Sequence, residues 1–86
     1  SFTTISCRFA EPGLVVNIFI FDSKGRLVRK LTSNTTMGHS ANFNWDGLDD
    51  QRKKLPIGHY IILTEVFNLQ GKTKKFKNVV TLAAVL

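Results

Sequence analysis

The sequence has few of the residues from which disulfide scaffolds, metal sites and hydrolase active sites are built. It has one cysteine, Cys7, and two histidines among 86 residues. A single thiol excludes an internal disulfide and a cysteine-based zinc site. His39 and His59 are far apart, and neither has a neighbouring Cys, Asp or Ser in a catalytic pattern. Because catalysis needs a nucleophile, a base and an orienting group together, we expect no enzyme activity, no cofactor and no bound metal.

Long hydrophobic runs are also missing. No stretch has the length of a transmembrane helix, and no signal peptide is recognisable, so we expect no membrane insertion. The chain begins at Ser1 without a methionine, already in strand-like sequence. A chain of this length makes one domain. We therefore expect residues 1–86 to be a single domain that forms the C-terminal fragment of a larger protein.

The sequence does contain the period-two alternation of β-strands. Residues 3–9 place Ile5, Cys7 and Phe9 on one face, which is typical of a half-buried strand. Because Cys7 lies on the apolar side, we interpret it as a small buried hydrophobe and not as a nucleophile. Glu11-Pro12-Gly13 then predicts a turn.

A nearly continuous apolar run at residues 14–21 predicts a central strand that is covered on both faces. The next four residues, Asp22-Ser23-Lys24-Gly25, predict a hairpin turn, because Asp opens turns through its side chain and Gly25 can take the left-handed conformation. Residues 26–31 are the predicted partner strand. The polar stretch at residues 32–40 is predicted to be a loop.

The second half of the chain shows the same alternation. Its predicted elements are a strand at 41–45, a loop at 46–58, a strand at 59–68, a turn at 69–72 and a strand at 72–82. Strict alternation in the last strand would place Asn78 beside Phe76, which we expect to belong to the core. We therefore expect a β-bulge near Lys77-Asn78 that resets the phase.

The whole pattern predicts an all-β fold. Six or seven strands follow one another at a spacing of roughly 8–12 residues, with turn signals between them and no convincing helix. Seven Phe residues are consistent with a core built from large side chains. We interpret the fold as an immunoglobulin-like antiparallel β-sandwich of about seven strands, with a small closed barrel as the competing architecture.

One stretch organises the rest of the chain: Trp45-Asp46-Gly47 to Pro56-Ile57-Gly58-His59-Tyr60, which holds the only Trp and the only Tyr. We predict that it takes the chain from one sheet to the other, with Trp45 as the largest buried side chain. Tyr60 can fold its hydroxyl back onto the upstream backbone, like the tyrosine corner of immunoglobulin-type sandwiches. The residues that we expect to have structural roles are Gly25, Trp45, Asp46, Gly47, Pro56, Gly58, Tyr60 and Gly71.

Three carboxylates in this loop, Asp46, Asp49 and Asp50, allow two interpretations. Clustered carboxylates suit a hard cation such as calcium. Their spacing does not match an EF-hand, however, and the neighbouring Arg52-Lys53-Lys54 would repel a cation. The preferred interpretation is that these side chains form turns.

The net charge of +6 is concentrated in two clusters, of which the first is Arg52-Lys53-Lys54. The second contains the possible anion-binding residues Lys72, Lys74, Lys75 and Lys77. Such clusters attract phosphates, acidic glycans or anionic surfaces. Alternatively, they are solvated lysines that discourage edge-to-edge aggregation. Phe76 could add stacking for single-stranded nucleic acid, although we do not expect nucleic acid to be the partner.

Six segments fall in the order and spacing of a known module: Ile5-Ser6-Cys7-Arg8-Phe9, Glu11-Pro12-Gly13, Ile20-Phe21-Asp22, Gly25-Arg26-Leu27-Val28, Trp45-Asp46-Gly47-Leu48-Asp49 and Leu55-Pro56-Ile57-Gly58-His59-Tyr60. The chain resembles the FlgD-like immunoglobulin-like domain over nearly its whole length. It is also similar to the C-terminal sorting domains of the Bacteroidetes type IX secretion system, and to modules that end some lamin-tail proteins.

The resemblance implies a non-catalytic accessory module of a secreted, cell-surface or periplasmic protein. Its role would be domain spacing, docking, or export and anchoring, with other domains of the same polypeptide and secretion machinery as partners. Flagellar hook assembly is a further role suggested by fold analogy. The alternative is a binding module for anionic glycan or nucleic acid through the basic hairpin. The family usually has a Gly about seven residues after its Trp, where this chain has Arg52, so we expect a local difference in the loop.

Overall fold

The computed structural model describes residues 3–9 and 13–83 of the chain, so most of the turn expected at Glu11-Pro12-Gly13 lies outside the described residues. The strands are β1 (Thr3–Arg8), β2 (Leu14–Asp22), β3 (Leu27–Met37), β4 (Ser40–Trp45), β5 (Gly58–Phe67) and β6 (Thr73–Leu82). One sheet pairs β1 with β4, and the other has the order β3-β2-β5-β6. All pairings are antiparallel. The predicted all-β, immunoglobulin-like sandwich is confirmed, and the two separate sheets rule out the closed barrel.

The two sheets face each other across one hydrophobic core. Alternation within each strand sends every second side chain inward, which is why the burial pattern of β5 has a period of two. The members of the core are Ile5, Cys7, Leu14, Val16, Ile18, Ile20, Met37, Trp45, Tyr60, Ile62 and Val66. The burial predicted for Cys7 and Trp45 is confirmed.

The outer face of β2 is covered less well than the sequence predicts. Val16, Ile18 and Ile20 point into the core and are fully buried, whereas Phe19 and Phe21 on the opposite face are only half-buried. The prediction that this strand is covered on both faces is therefore wrong for its outer face. Within residues 3–9 and 13–83, no further layer packs on that side of the four-stranded sheet.

The strand β3 extends as far as Met37, so the loop predicted at residues 32–40 is wrong over most of its length. Beyond an irregular stretch, β3 pairs with β2 again, and Leu14 lies opposite Met37. At the irregularity, Asn34 has a φ of 51° and its backbone N–H donates to Oδ1 of Asn17 at 2.6 Å. The sequence is polar here because β3 is an edge strand of its sheet.

The last strand contains no bulge. It pairs with β5 in continuous register, with Lys77 opposite Leu63 and Asn78 opposite Ile62, so the predicted phase reset near Lys77-Asn78 is wrong. Phe76 does lie on the inward face, but it is 44% exposed, and its predicted place in the core is wrong as well. The physical reason is that the facing sheet has only two strands and does not extend over β6.

Both predicted hairpin turns are confirmed, and they share one hydrogen-bond pattern. Oδ1 of Asp22 accepts the backbone N–H groups two and four residues further on, and Oδ1 of Asn68 does the same. The fourth residues, Gly25 and Gly71, have φ values of 83° and 80°. This is the left-handed region, which glycine enters without a Cβ penalty.

The first described strand begins, and the last one ends, at the same end of the sandwich. Thr3 at the start of β1 lies opposite Trp45, and Leu82 at the end of β6 lies opposite Gly58. We call this the loop end, because residues 46–57 connect Trp45 to Gly58 there. The far end carries the turn that begins at Asn68, and the molecule is 43 Å along its longest axis.

Candidate interaction surface

Trp45 is the centre of the loop end. It is the last residue of β4 and is 1% exposed. Its indole Nε1–H donates to the backbone carbonyl of Leu48 at 3.0 Å, which ties the start of the loop to the core. The ring of Tyr60 packs against it edge to face, with ring centroids 5.5 Å apart. Trp45 therefore fixes both the core and the path by which the chain leaves it.

Tyr60 forms the tyrosine corner that the sequence predicts. Its hydroxyl donates to the backbone carbonyl of Pro56 at 2.6 Å, four residues upstream. Burial raises the pKa of the Tyr60 hydroxyl, and the negative charge of Asp22 raises that pKa further. The neutral hydroxyl is the form that donates this bond, so the corner closes the loop just before Gly58 begins β5.

Gly47 allows the loop to pass directly over the end of β6. Its φ is 79°, and a Cβ built on it would lie 3.0 Å from Cδ1 of Leu82. The preceding carboxylate, Asp46, holds the bend because its Oδ1 accepts the backbone N–H of Leu48 at 3.0 Å. Any side chain at position 47 would thus meet both backbone strain and a close contact.

The loop contains a third copy of the five-residue turn, beginning at Asp49. Its Oδ1 accepts the backbone N–H groups of Gln51 and Lys53, both at 2.9 Å. The left-handed position is occupied by Arg52, with a φ of 65°, and its N–H donates to the Asp49 carbonyl at 3.0 Å. The chain thus keeps the turn at the place where the family usually has Gly. Arg52 takes the left-handed conformation there, with the backbone strain that a Cβ brings.

Arg29 on β3 holds this loop against the four-stranded sheet, a role that the sequence analysis missed. Its Nη1 donates to Asp46 Oδ1 at 3.3 Å and to the Leu48 carbonyl at 3.1 Å, and its Nε lies 3.8 Å from Asp50 Oδ1. The backbone N–H of Lys30 also donates to Asp50 Oδ1. Little in the sequence signals this role, because Arg29 stands next to Lys30 in a largely polar strand and the carboxylates that it contacts lie far along the chain.

The three loop carboxylates accept hydrogen bonds from the protein itself, in agreement with the turn interpretation. Asp46 and Asp49 each accept a backbone N–H two residues further on, and Asp50 accepts one from β3. In the part of the chain that the structure describes, no group of three or more His, Cys, Asp or Glu side chains is placed to hold a metal ion.

The two basic clusters do not converge. Arg52, Lys53 and Lys54 are exposed in the loop, whereas the second cluster lies on the β5–β6 hairpin. On β6 the register places Lys74 opposite buried Val66, on the inward face, while Lys75 and Lys77 lie on the outward face. Nζ of Lys75 is 3.5 Å from Oε2 of Glu65. Anion binding by these lysines stays a prediction.

The histidines and the cysteine lie apart from one another. His59 Nδ1 is 3.1 Å from the Thr81 hydroxyl, and His39 Nδ1 is 3.4 Å from the Phe9 carbonyl at the far end. Burial raises the pKa of the Cys7 thiol, so the nucleophilic thiolate is disfavoured. None of these groups forms a pair that could transfer a proton to a bound substrate.

The fold, the Trp–Tyr corner and the two facing antiparallel sheets define an immunoglobulin-like sandwich module. A family model described as the FlgD Ig-like domain matches residues 3–66. The chain therefore belongs to the FlgD Ig-like domain family, as the resemblance in its sequence predicts. No curated protein was found to match it.

Family membership defines the general character of the module. The FlgD Ig-like domain is a non-enzymatic structural domain type, associated with flagellar and extracellular proteins. No helix among residues 3–9 and 13–83 has the length and hydropathy to cross a membrane.

Proposed function

We propose that the chain is a non-catalytic accessory module of a larger secreted or cell-surface protein, and that it acts by docking and not by in-line spacing. The observation that carries this proposal is the position of Thr3 and Leu82, which both lie at the loop end. A domain that spaces its neighbours along a line needs its two connections at opposite ends. Here any segment that continues the chain, in either direction, leaves from one end of a body 43 Å long.

This geometry leaves the far end and the sheet edges free for contacts. Neighbouring domains of the same polypeptide and export machinery are the partners that we propose, and they are the partners that a resemblance of the sequence to type IX secretion sorting domains would imply. The rigid attachment of the loop through Arg29 and Trp45 gives such contacts a fixed orientation relative to the connecting segments. Preorganised surfaces bind with less loss of conformational entropy.

The complete polypeptide that contains this chain provides the test. A version lacking residues 3–83 should keep the intrinsic activity of the remaining domains in solution, but should lose export, surface display or assembly. The Trp45→Ala variant of the full polypeptide should behave like the deletion, because it unfolds the module alone. Normal display and assembly of both versions would contradict the proposal.

A second candidate function, binding of anionic glycan or nucleic acid through the β5–β6 hairpin, is supported by the exposure of Lys72, Lys74, Lys75 and Lys77. A built anion site needs converging donors, and strand alternation divides these side chains between two faces. The arrangement favours diffuse attraction, which is tested by its dependence on salt.

A further inference from the structure

The two sheets of the sandwich are unequal, and the difference leaves a cleft. Within residues 3–9 and 13–83, the small sheet consists of β1 and β4, while the large sheet has four strands. As a result, β1 and β6 face each other without forming a hydrogen-bonded pair. The space between them, which we call the β1–β6 cleft, measures about 460 Å³ and is lined by Ile5–Phe9, Thr64 and Lys75–Asn78.

The floor of the β1–β6 cleft is apolar, although it is open to solvent. Phe76 points inward from β6 and is 44% exposed. Its ring packs against that of Phe9, with centroids 6.1 Å apart and a tilt of 47°. An inward-facing aromatic side chain that lacks a cover over much of its surface is a favourable contact for an apolar side chain brought in by a partner.

Both walls of the cleft are edges of sheets. Among the residues that the structure describes, β1 pairs only with β4, and β6 pairs only with β5. The edge of a sheet presents backbone N–H and C=O groups that can pair with another strand. A third strand added to the free edge of β1 would extend the small sheet over β6 and would cover Phe76.

The rim of the cleft is basic. Arg8, Lys75 and Lys77 are exposed along it, and among the carboxylates that the structure describes the one beside them is Glu65, 3.5 Å from Lys75. The other described carboxylates belong to the β2–β3 turn and to the loop at residues 46–57, at the opposite end of the strands. Since the chain carries a net charge of +6, the rim repels a second copy of this chain and attracts an acidic segment.

We infer that the β1–β6 cleft accepts an extended acidic segment of a partner protein as a third strand of the small sheet. The backbone of the segment pairs with β1, its apolar side chains cover Phe9 and Phe76, and its alternate acidic side chains lie beside Arg8 on the outer face of the small sheet. This is strand addition, in which backbone bonds supply affinity and alternate side chains supply specificity. The inference rests on the docking function proposed above and assigns the surface that docks.

A titration of the isolated chain with a labelled peptide tests the inference. The probe alternates Glu and Val over about six residues, an ordinary strand length, and its binding is followed by fluorescence polarisation. Phe76→Ser should weaken binding by about tenfold or more, because a buried apolar contact is lost. Val79→Ser is the matched control, since Val79 is 69% exposed on the opposite face of the same strand, and it should leave binding unchanged. Thermal melts of both variants check that they fold.

Two further probes separate strand addition from simple charge attraction. A peptide of the same composition with its glutamates in one block should bind more weakly, and a Lys–Val peptide should not bind. In amide hydrogen exchange, the alternating peptide should protect the backbone of β1. Equal binding of the alternating and block peptides, or equal loss in both variants, would overturn the inference.

Two other outcomes would assign a different ligand to the β1–β6 cleft. Tighter binding of oligo-dT or heparin, unaffected by Phe76→Ser, would show that the rim is a diffuse polyanion surface. Self-association of the chain that Phe76→Ser abolishes would show that the cleft binds a second copy. A failed titration together with lost display of the polypeptide lacking residues 3–83 would reject the cleft alone and leave the docking function standing.

Discussion

The indole of Trp45 meets the ring of Tyr60 edge to face, with centroids 5.5 Å apart and ring planes at 66°. Trp45 ends β4 in the small sheet, and Tyr60 lies near the start of β5 in the large sheet. The contact therefore joins two sheets that share no hydrogen-bonded strand pair. Aromatic pairs of this geometry contribute about 0.5–1.5 kcal/mol beyond their buried area.

Replacing Trp45 by Ala should lower the free energy of unfolding by about 3–5 kcal/mol, because it leaves a large cavity where the sheets meet. A domain of this size has little stability beyond that. Urea denaturation followed by circular dichroism measures the loss. Trp45→Phe is the control, since it keeps an aromatic ring and removes only the donor to Leu48. A melting temperature of the Ala variant within a few degrees of the parent would show that Trp45 is not the centre of the core.

Replacing Arg52 by Gly should stabilise the domain by about 0.5–1 kcal/mol. The gain is the left-handed strain of a non-glycine residue, reduced by the larger backbone entropy of Gly in the unfolded chain. Gly71→Ala is the reverse experiment: its φ is 80° and no atom lies within 4 Å of the added Cβ, so only backbone strain is introduced. Denaturant midpoints should move in opposite directions for the two variants. Movement in the same direction would refute the strain assigned to Arg52.

Asp22 should make stability depend on pH in the acidic range. The backbone hydrogen bond from Arg26 is the main cause that lowers the pKa of Asp22 from its ordinary value of 3.8. A carboxylate with a lowered folded-state pKa stabilises the domain above its unfolded pKa, and this contribution is lost as the pH falls through the folded-state pKa. Asp22→Asn keeps the Oδ1 acceptor, as Asn68 does in its own turn. The variant should show a flatter decline of melting temperature below pH 3.8, and an unchanged acidic decline would contradict the assignment.

Replacing Arg29 by Met should loosen the loop at residues 46–57. Hydrogen bonds to charged groups contribute about 1.5–3 kcal/mol, and because Arg29 is 22% exposed we expect a loss at the lower end of that range. Amide exchange at Asp50, whose N–H donates to the Val28 carbonyl, should become faster. Arg26→Met removes an ion pair in which the arginine side chain is 75% exposed, and it should change neither stability nor exchange in this loop. Equal effects of the two variants would mean that Arg29 does not hold the loop.

Neutralising Lys72, Lys74, Lys75 and Lys77 together to Gln should leave the melting temperature nearly unchanged, because exposed charges contribute little to stability. Binding of the parent chain to heparin or oligo-dT should be weak, insensitive to sequence and lost steeply with added salt, since counterion release drives it. Micromolar or tighter binding that survives physiological salt, and that the four changes abolish, would instead favour the ligand-binding function.

The sequence was sufficient for features that depend on local chemistry. The alternation at Ile5 and Cys7, the apolar run of β2 and the glycines at positions 25 and 71 each determine a conformation within a few residues of themselves. The corner at Tyr60 followed from its place after a loop that begins at a tryptophan. These elements are enough to define an immunoglobulin-like sandwich.

Other features depend on what a segment packs against, and these could not be predicted from the sequence. The polar residues before Met37 form a strand only because Leu14 and its neighbours rejoin them beyond the irregularity at Asn17. The alternation along β6 places Phe76 on the inward face, but the exposure of its side chain depends on the width of the small sheet. The role of Arg29 required knowing that a loop far along the chain would fold onto β3.

The position of Thr3 and Leu82 at one end of the sandwich also determines how the domain responds to mechanical force. If the two termini are pulled apart, β1 separates from β4 beginning at Thr3, and β6 separates from β5 beginning at Leu82. The hydrogen bonds between the two strands of each pair then break one after another. When strands are sheared lengthwise, by contrast, the force acts on all of these bonds at once. The domain is therefore mechanically weak along its own chain, which fits the docking function proposed above better than a load-bearing one.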